Sequence, residues 1–233
     1  LATQLHPIAR LPPETGRTAL FVSPGYTIGI DGMSDGEAQP LLLELFRGLA
    51  LWLIYLDHIP QNIVNWVTIR NYGFSDAAEI FVFISGYTAV IAYSRMLDQE
   101  GWPRTAARIY RRVWQLYVAH ILLFVAFSAQ IAWVSIARDT PALIEEMELL
   151  GLGQNPYRAI LEAALLKFRP VNLDVLPLYI VLLAVFPLVL PLVVRFPRVV
   201  IGVSLLLYAA TCHLNWNLPA YPAEKVWYLH PVA

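Results

Sequence analysis

The chain has 233 residues, of which 58% are hydrophobic and only 14% charged, with a net charge of −1 and a mean hydropathy of +0.56. A soluble domain carries about 25% charged residues, so this composition excludes an ordinary water-soluble fold and points to an integral membrane protein. A net charge near zero gives no basic footprint for a nucleic-acid partner, and the single cysteine, Cys212, excludes an internal disulfide.

Residues 1–40 are rich in turn formers (PPETG, SPGY, DGMSDGEAQP) and are expected to be an N-terminal extension, loop or disordered. Residues 41–233 then form the membrane domain. The chain starts at Leu1 without a signal-peptide pattern and stops shortly after WYLHPVA, so it reads as a piece of a longer protein. Five apolar segments have the length of a bilayer span or nearly so. They are 41–61, 74–93, 113–137, 175–194 and a shorter fifth, 199–214. The fold class expected is therefore all-α, a polytopic transmembrane helical bundle. Between the third and fourth segments, PYRAILEAALLKF (156–168) has apolar residues at helical spacing and reads as an amphipathic helix on the membrane surface.

Arginine placement orients the spans. The connection 94–112 carries Arg95, Arg104, Arg108, Arg111 and Arg112, and the link after the fourth span carries Arg195 and Arg198, whereas 62–73 and 138–174 are not enriched. The positive-inside rule places the N-terminus, 94–112 and 195–198 in the cytoplasm.

The first span holds Glu44, Arg47, Asp57 and His58. Arg47 and His58 are eleven residues apart; on an α-helix they return to nearly one face, about 17 Å apart along the axis. Ionisable groups within a span are expensive and mark functional routes. Glu44 and Arg47, three residues apart, can pair. The second span starts at the exterior level of His58 with Asp76 and Glu79, so Asp57 or Glu79 is expected to orient the imidazole as a general base. Asp76 also fits an N-cap with Glu79 three residues on. Ser85 and Gly86 are small residues that suit close helix approach, and Ser85 lies too deep to act as a nucleophile beside His58. Arg111 and Arg112 open the third span on the cytoplasmic side, where they set topology or hold phosphates. His120, further in, is expected to make a structural hydrogen bond. On the exterior, FRPVNLDVLP and HLNWNLPAYP supply Asn172, Asp174 and Trp216, a mix of amide, carboxylate and aromatic groups suited to sugars. No metal-ligand spacing, phosphate-cradling glycine loop or Ser-His-Asp order is present.

The stretches RGLALWLIYLDHIPQNIVNWVTIRNYGFSDAAEIFVFISGYTAVIAY, RRVWQLYVAHILLF and KFRPVNLDVLPLYIVLLAVFP closely resemble the OpgC family. These are bacterial inner-membrane proteins that attach succinyl groups to osmoregulated periplasmic glucans, within the wider membrane acyltransferase type 3 group. Arg47 and His58 match that group's Arg-x10-His element. Phe81, Ser85, Gly86 and Tyr87 match its Phe-Phe-x-x-Ser-Gly-Phe/Tyr element, with Val82 in place of the second Phe. Two features depart from the pattern: Glu44 stands where the group has Asp, and members have about ten spans against about five here. The resemblance implies a multi-pass protein of the bacterial inner membrane with a cytoplasmic acyl-CoA donor, succinyl-CoA, and a periplasmic glucan or other polysaccharide as acceptor. It implies no permanently bound cofactor. It makes His58 the base and Arg47 a donor-binding residue, joined on the residue reading by Arg111 and Arg112. An ion-coupled transporter, whose proton relay would use the same His and carboxylates, is the alternative.

Overall fold

The computed structural model describes residues 9–10, 19–20, 34–59, 62–68, 71–72, 76–214 and 220–222. They divide into two compact units, Leu1–Ala89 and Val90–Ala233. Helices dominate both, and the β-structure among the described residues is confined to one two-residue ladder and an isolated bridge.

In the first unit, β1 (Ala9–Arg10) pairs antiparallel with β2 (Ala19–Leu20). Helix α1 follows at Asp35–Asp57, then a 3₁₀ turn at Ile63–Val67 and the start of α2, Ala77–Glu100. Along α1 the buried residues Ala38, Leu42, Phe46 and Ala50 recur every fourth position, the spacing that keeps side chains on one stripe. The helix begins at Asp35 and carries Pro40 inside it, so its first turns lie within the segment read as an extension.

The second unit contains the end of α2, α3 (Trp102–Ala137), three short helices, α4 (Ala142–Glu146), α5 (Leu150–Gln154) and α6 (Pro156–Ala164), then α7 (Val175–Arg195) and α8 (Pro197–Leu214). With 36 residues, α3 is about 54 Å long, well beyond the roughly 30 Å of a hydrocarbon core. It meets different partners along that length. Its first half joins Ile109, Val113 and Leu116 to Tyr179, Leu183, Phe186 and Leu190 of α7, with Tyr93 and Leu97 from α2. Its second half places Phe124, Phe127 and Ile131 against Leu149, Ala159, Ala163 and Phe168.

Five helices, α1 from Ala38 onwards, α2, α3, α7 and α8, are long and apolar enough to cross a membrane. Their outward faces carry large apolar side chains such as Trp52, Phe83, Leu122 and Leu206, a surface suited to lipid or further helices rather than water. Helix α8 has no buried residue among its described positions.

The structure corrects the boundaries in two places. The basic stretch 94–112 is not a loop: α2 runs to Glu100 and α3 starts at Trp102, separated only by Gly101. Arginines are good helix formers whose long stems lie along a helix while the head stays in water, and Arg95, Arg104, Arg108, Arg111 and Arg112 are all on exposed positions. Gly101 makes the corner at φ 78°, ψ 168°, a region open essentially to glycine alone. The surface helix ends at Ala164 rather than at 168, and α4 and α5 precede it. Leu166, with φ 61°, follows its end. Ala159 and Ala163 form the buried side of α6, while Tyr157, Ile160 and Leu161 stay exposed.

Candidate functional site

Within the first unit the continuous helix α1 sets the spacing of the ionisable residues. Arg47 lies mid-helix; Asp57 is its last residue, and His58 sits in the turn that leaves it. Eleven residues at 1.5 Å each separate Arg47 from His58 by about 17 Å along the axis. Arg47 Nη1 donates to Glu44 Oε1 at 2.7 Å, with Arg47 22% and Glu44 63% exposed at the side chain. The guanidinium also lies over the Phe81 ring of α2, 5.9 Å from its centre, close enough for a cation–π attraction. Arg47 Nε is shielded and has no hydrogen-bond partner.

His58 is exposed, and its Nδ1 lies 2.6 Å from the Ile54 carbonyl oxygen. A carbonyl can only accept, so Nδ1 carries a proton in this hydrogen bond, and in the neutral ring that tautomer leaves Nε2 its lone pair. This tautomer is the one a general base acting through Nε2 needs.

Among the described residues no ion pair or hydrogen bond joins His58 to a carboxylate. Asp57 is half-buried, with Oδ1 unpartnered. Asp76 Oδ1 accepts from the Glu79 backbone N–H at 2.9 Å, which is N-capping of α2. Glu79 itself is exposed in the first turn. Phe81, two residues beyond Glu79, lies beneath Arg47, so α2 meets α1 near its arginine.

Ser85 is 2% exposed and its hydroxyl has no partner. The small-pair reading holds for only one of the two residues. A Cβ added at Gly86 meets nothing within 4 Å, so Gly86 is exposed to open space and brings no helix close, whereas Ser85 faces inward.

In the second unit, Arg111 and Arg112 are exposed on α3, and Arg112 Nη1 reaches Gln115 Oε1 at 3.5 Å. Arg108 pairs with Glu100 across the Gly101 corner at 2.8 Å. His120 departs from its expected hydrogen bond: it is 0% exposed, and neither ring nitrogen has a partner. It falls one turn after Leu116 and one turn before Phe124, so it is held by the apolar packing of α3 on either side.

Of the sugar-binding candidates, Asn172 and Asp174 are among the described residues. Asn172 is exposed with φ 70°. Asp174 stands at the N-cap of α7 without a side-chain cap bond. Trp216 lies outside the described residues. Phe168 and Tyr221, from the same two stretches, meet edge-to-face at 5.6 Å, and the Tyr221 N–H donates to the Lys167 carbonyl at 3.0 Å. Phe168 is buried in the core under α6, so that aromatic residue serves packing rather than an exposed platform. Beside them, Glu162 is flanked by Arg158 at 3.8 Å and Lys167 at 3.7 Å. Among the described residues no group of three or more His, Cys, Asp or Glu side chains is placed to hold a metal ion.

Two features escaped the sequence reading. The unpartnered Ser85 hydroxyl gave no signal, because serine in an apolar helix usually turns back on the helix. The Trp102 indole N–H donates to the Pro187 carbonyl at 2.9 Å. Here a signal existed: Pro191 lies four residues after Pro187 and lacks the N–H that this carbonyl would otherwise accept.

The family described as OpgC protein matches residues 40–233. A Schizosaccharomyces pombe protein described as "Putative alpha-ketoglutarate-dependent sulfonate dioxygenase" is 44% identical over 48 residues, 21% of this chain and 12% of that protein. The chain thus spans about an eighth of that relative, too short a stretch to carry a function. No solved structure matches.

Proposed function

This chain belongs to the OpgC protein family, and from that premise we propose that it forms part of a membrane O-acyltransferase. It moves a succinyl group from succinyl-CoA to a hydroxyl of a periplasmic glucan. The family match over most of the chain carries this reading. The protein resides in the bacterial inner membrane with its N-terminus in the cytoplasm, in keeping with the arginines at 95–112 and at 195 and 198.

His58 is the general base. Its Nε2 takes the proton of the attacking glucan hydroxyl as the oxygen bonds to the thioester carbonyl. The C–S bond then breaks, and the imidazolium returns the proton to the departing thiolate, giving the ester and free CoA. The Ile54 carbonyl supports this role by fixing the proton on Nδ1. Asp57, adjacent in sequence, is the carboxylate that would orient the ring. Glu79 is an auxiliary carboxylate at the start of α2. Arg47 binds the donor, Arg111 and Arg112 receive its phosphates, and Asn172, Asp174 and Trp216 contact the acceptor.

The test is transfer of labelled succinyl from succinyl-CoA to glucan in membranes containing the full-length protein. His58→Ala is expected to abolish transfer while leaving succinyl-CoA binding in place; wild-type rates in that variant would refute the assignment. Ion-coupled flux in proteoliposomes without acyl-CoA would favour a transporter instead.

A further inference from the structure

Two stretches far apart in sequence, 168–177 and 213–222, are fastened together at one point of the second unit. Phe168 and Tyr221 form a parallel bridge, and the Tyr221 N–H donates to the Lys167 carbonyl at 3.0 Å. Three further contacts hold the Tyr221 ring. Phe168 meets it edge-to-face, with 5.6 Å between centres. The Arg158 guanidinium lies 5.4 Å from the ring centre, within cation–π range, and Arg158 Nε is itself 3.8 Å from Glu162. Gly151 of α5 supplies a notch: a Cβ there would lie 3.1 Å from Tyr221 Cε1, so a larger residue would push the ring away. Phe168 is 1% exposed and sits in the core formed with Phe124, Leu149, Ala159 and Ala163. Tyr221 therefore ties the chain after α8 to a packed base.

We propose that Tyr221 is a positioning residue for the glucan acceptor, fastening 213–222 to 168–177 so that both stretches bind one chain. The proposal rests on the acyltransferase reading, which gives acceptor contacts to Asn172, Asp174 and Trp216, and refines it. Asn172 is four residues from Phe168, and Trp216 is five from Tyr221. At about 3.5 Å per residue fully extended, neither lies further than about 18 Å from the clasp. Two loose segments would each lose conformational freedom when a polysaccharide binds them. A clasp made during folding removes part of that cost in advance. Its partners, Gly151, Arg158, Lys167 and Phe168, include none of the residues assigned to the donor. Losing the clasp therefore falls on acceptor affinity.

Steady-state transfer by the full-length protein in membranes, with succinyl-CoA and glucan varied in turn, tests the assignment. Tyr221→Ala is expected to raise KM for glucan about tenfold, the scale of ordering a loop on binding. KM for succinyl-CoA and kcat are expected to stay near wild type. Tyr221→Phe keeps the ring and the backbone bond, and is expected to behave as wild type for both substrates. Gly151→Val, which fills the notch, is expected to reproduce the Tyr221→Ala pattern. An unchanged glucan KM in Tyr221→Ala, or an equal rise in both KM values, makes the clasp a structural tie alone and overturns the proposal. Should Tyr221→Ala not accumulate in membranes, the two KM values of Gly151→Val decide in the same way. Wild-type protein that transfers no succinyl group to glucan defeats the acyltransferase reading itself, a result distinct from these.

Discussion

At the scale of single residues, polar groups in an apolar bundle are placed by what satisfies them. The Pro187 carbonyl loses its helical donor because Pro191 follows four residues later, and Trp102 Nε1 supplies a replacement at 2.9 Å. Trp102→Phe keeps the ring and removes the N–H, so it leaves a carbonyl unpaired. A loss of about 1–3 kcal/mol is expected, read as a lower melting temperature in detergent; a Phe variant of unchanged melting temperature would show that the carbonyl needs no partner. His58 is governed by the same accounting, with the Ile54 carbonyl taking the Nδ1 proton. General-base catalysis contributes roughly 10²–10⁴-fold, so His58→Gln is expected to lower transfer by that range. A KM for donor within twofold of wild type should accompany it, since the proposed function gives donor binding to Arg47 and not to the imidazole.

At the scale of elements, ends and corners carry specific chemistry. The N-terminus of α2 is closed by Asp76, whose Oδ1 accepts the Glu79 N–H. Asp76→Ala is expected to cost about 0.5–2 kcal/mol, and Asp76→Asn or Asp76→Ser much less, since both keep an accepting oxygen. Equal losses in all three variants would mean that the carboxylate charge, not the cap, matters. The corner between α2 and α3 rests on Gly101 at φ 78° and ψ 168°. Any side chain there is strained, and Gly101→Ala is expected to destabilise by about 1–3 kcal/mol, measured by thermal unfolding of the second unit's helices.

At the scale of the whole molecule, sidedness organises the proposed reaction. The single Cys212 makes a cysteine-free background simple to build. With Cys212→Ser, Asp139→Cys is expected to react with a membrane-impermeant maleimide in intact spheroplasts. Arg104→Cys is expected to react only after permeabilisation. The reverse pattern inverts the topology and puts His58 on the donor side.

Much of the bundle was legible because hydropathy and helix length are local properties. Span four was placed within a residue of α7, and span five within two residues of α8. The basic corner was not legible, because arginine density resembles a loop when read as charge and a helix when read as propensity. Of the candidate site, the Glu44–Arg47 pair and the Asp76 cap were legible as short-range pairings on one helix. The dead ends for Gly86 and Phe168 were not, since whether a residue faces a neighbour depends on segments distant in sequence.

The sequence by itself determined a multi-pass helical membrane protein of the OpgC family, with Arg47 and His58 spaced along the first long helix. Only the tertiary structure decided which polar groups are satisfied. It set Phe81 under Arg47, left the Ser85 hydroxyl free and gave the Pro187 carbonyl to Trp102. The reason is physical: apolar burial needs only periodicity, which is written locally, whereas a hydrogen bond needs a partner within about 3 Å, and that partner comes from wherever the chain folds back.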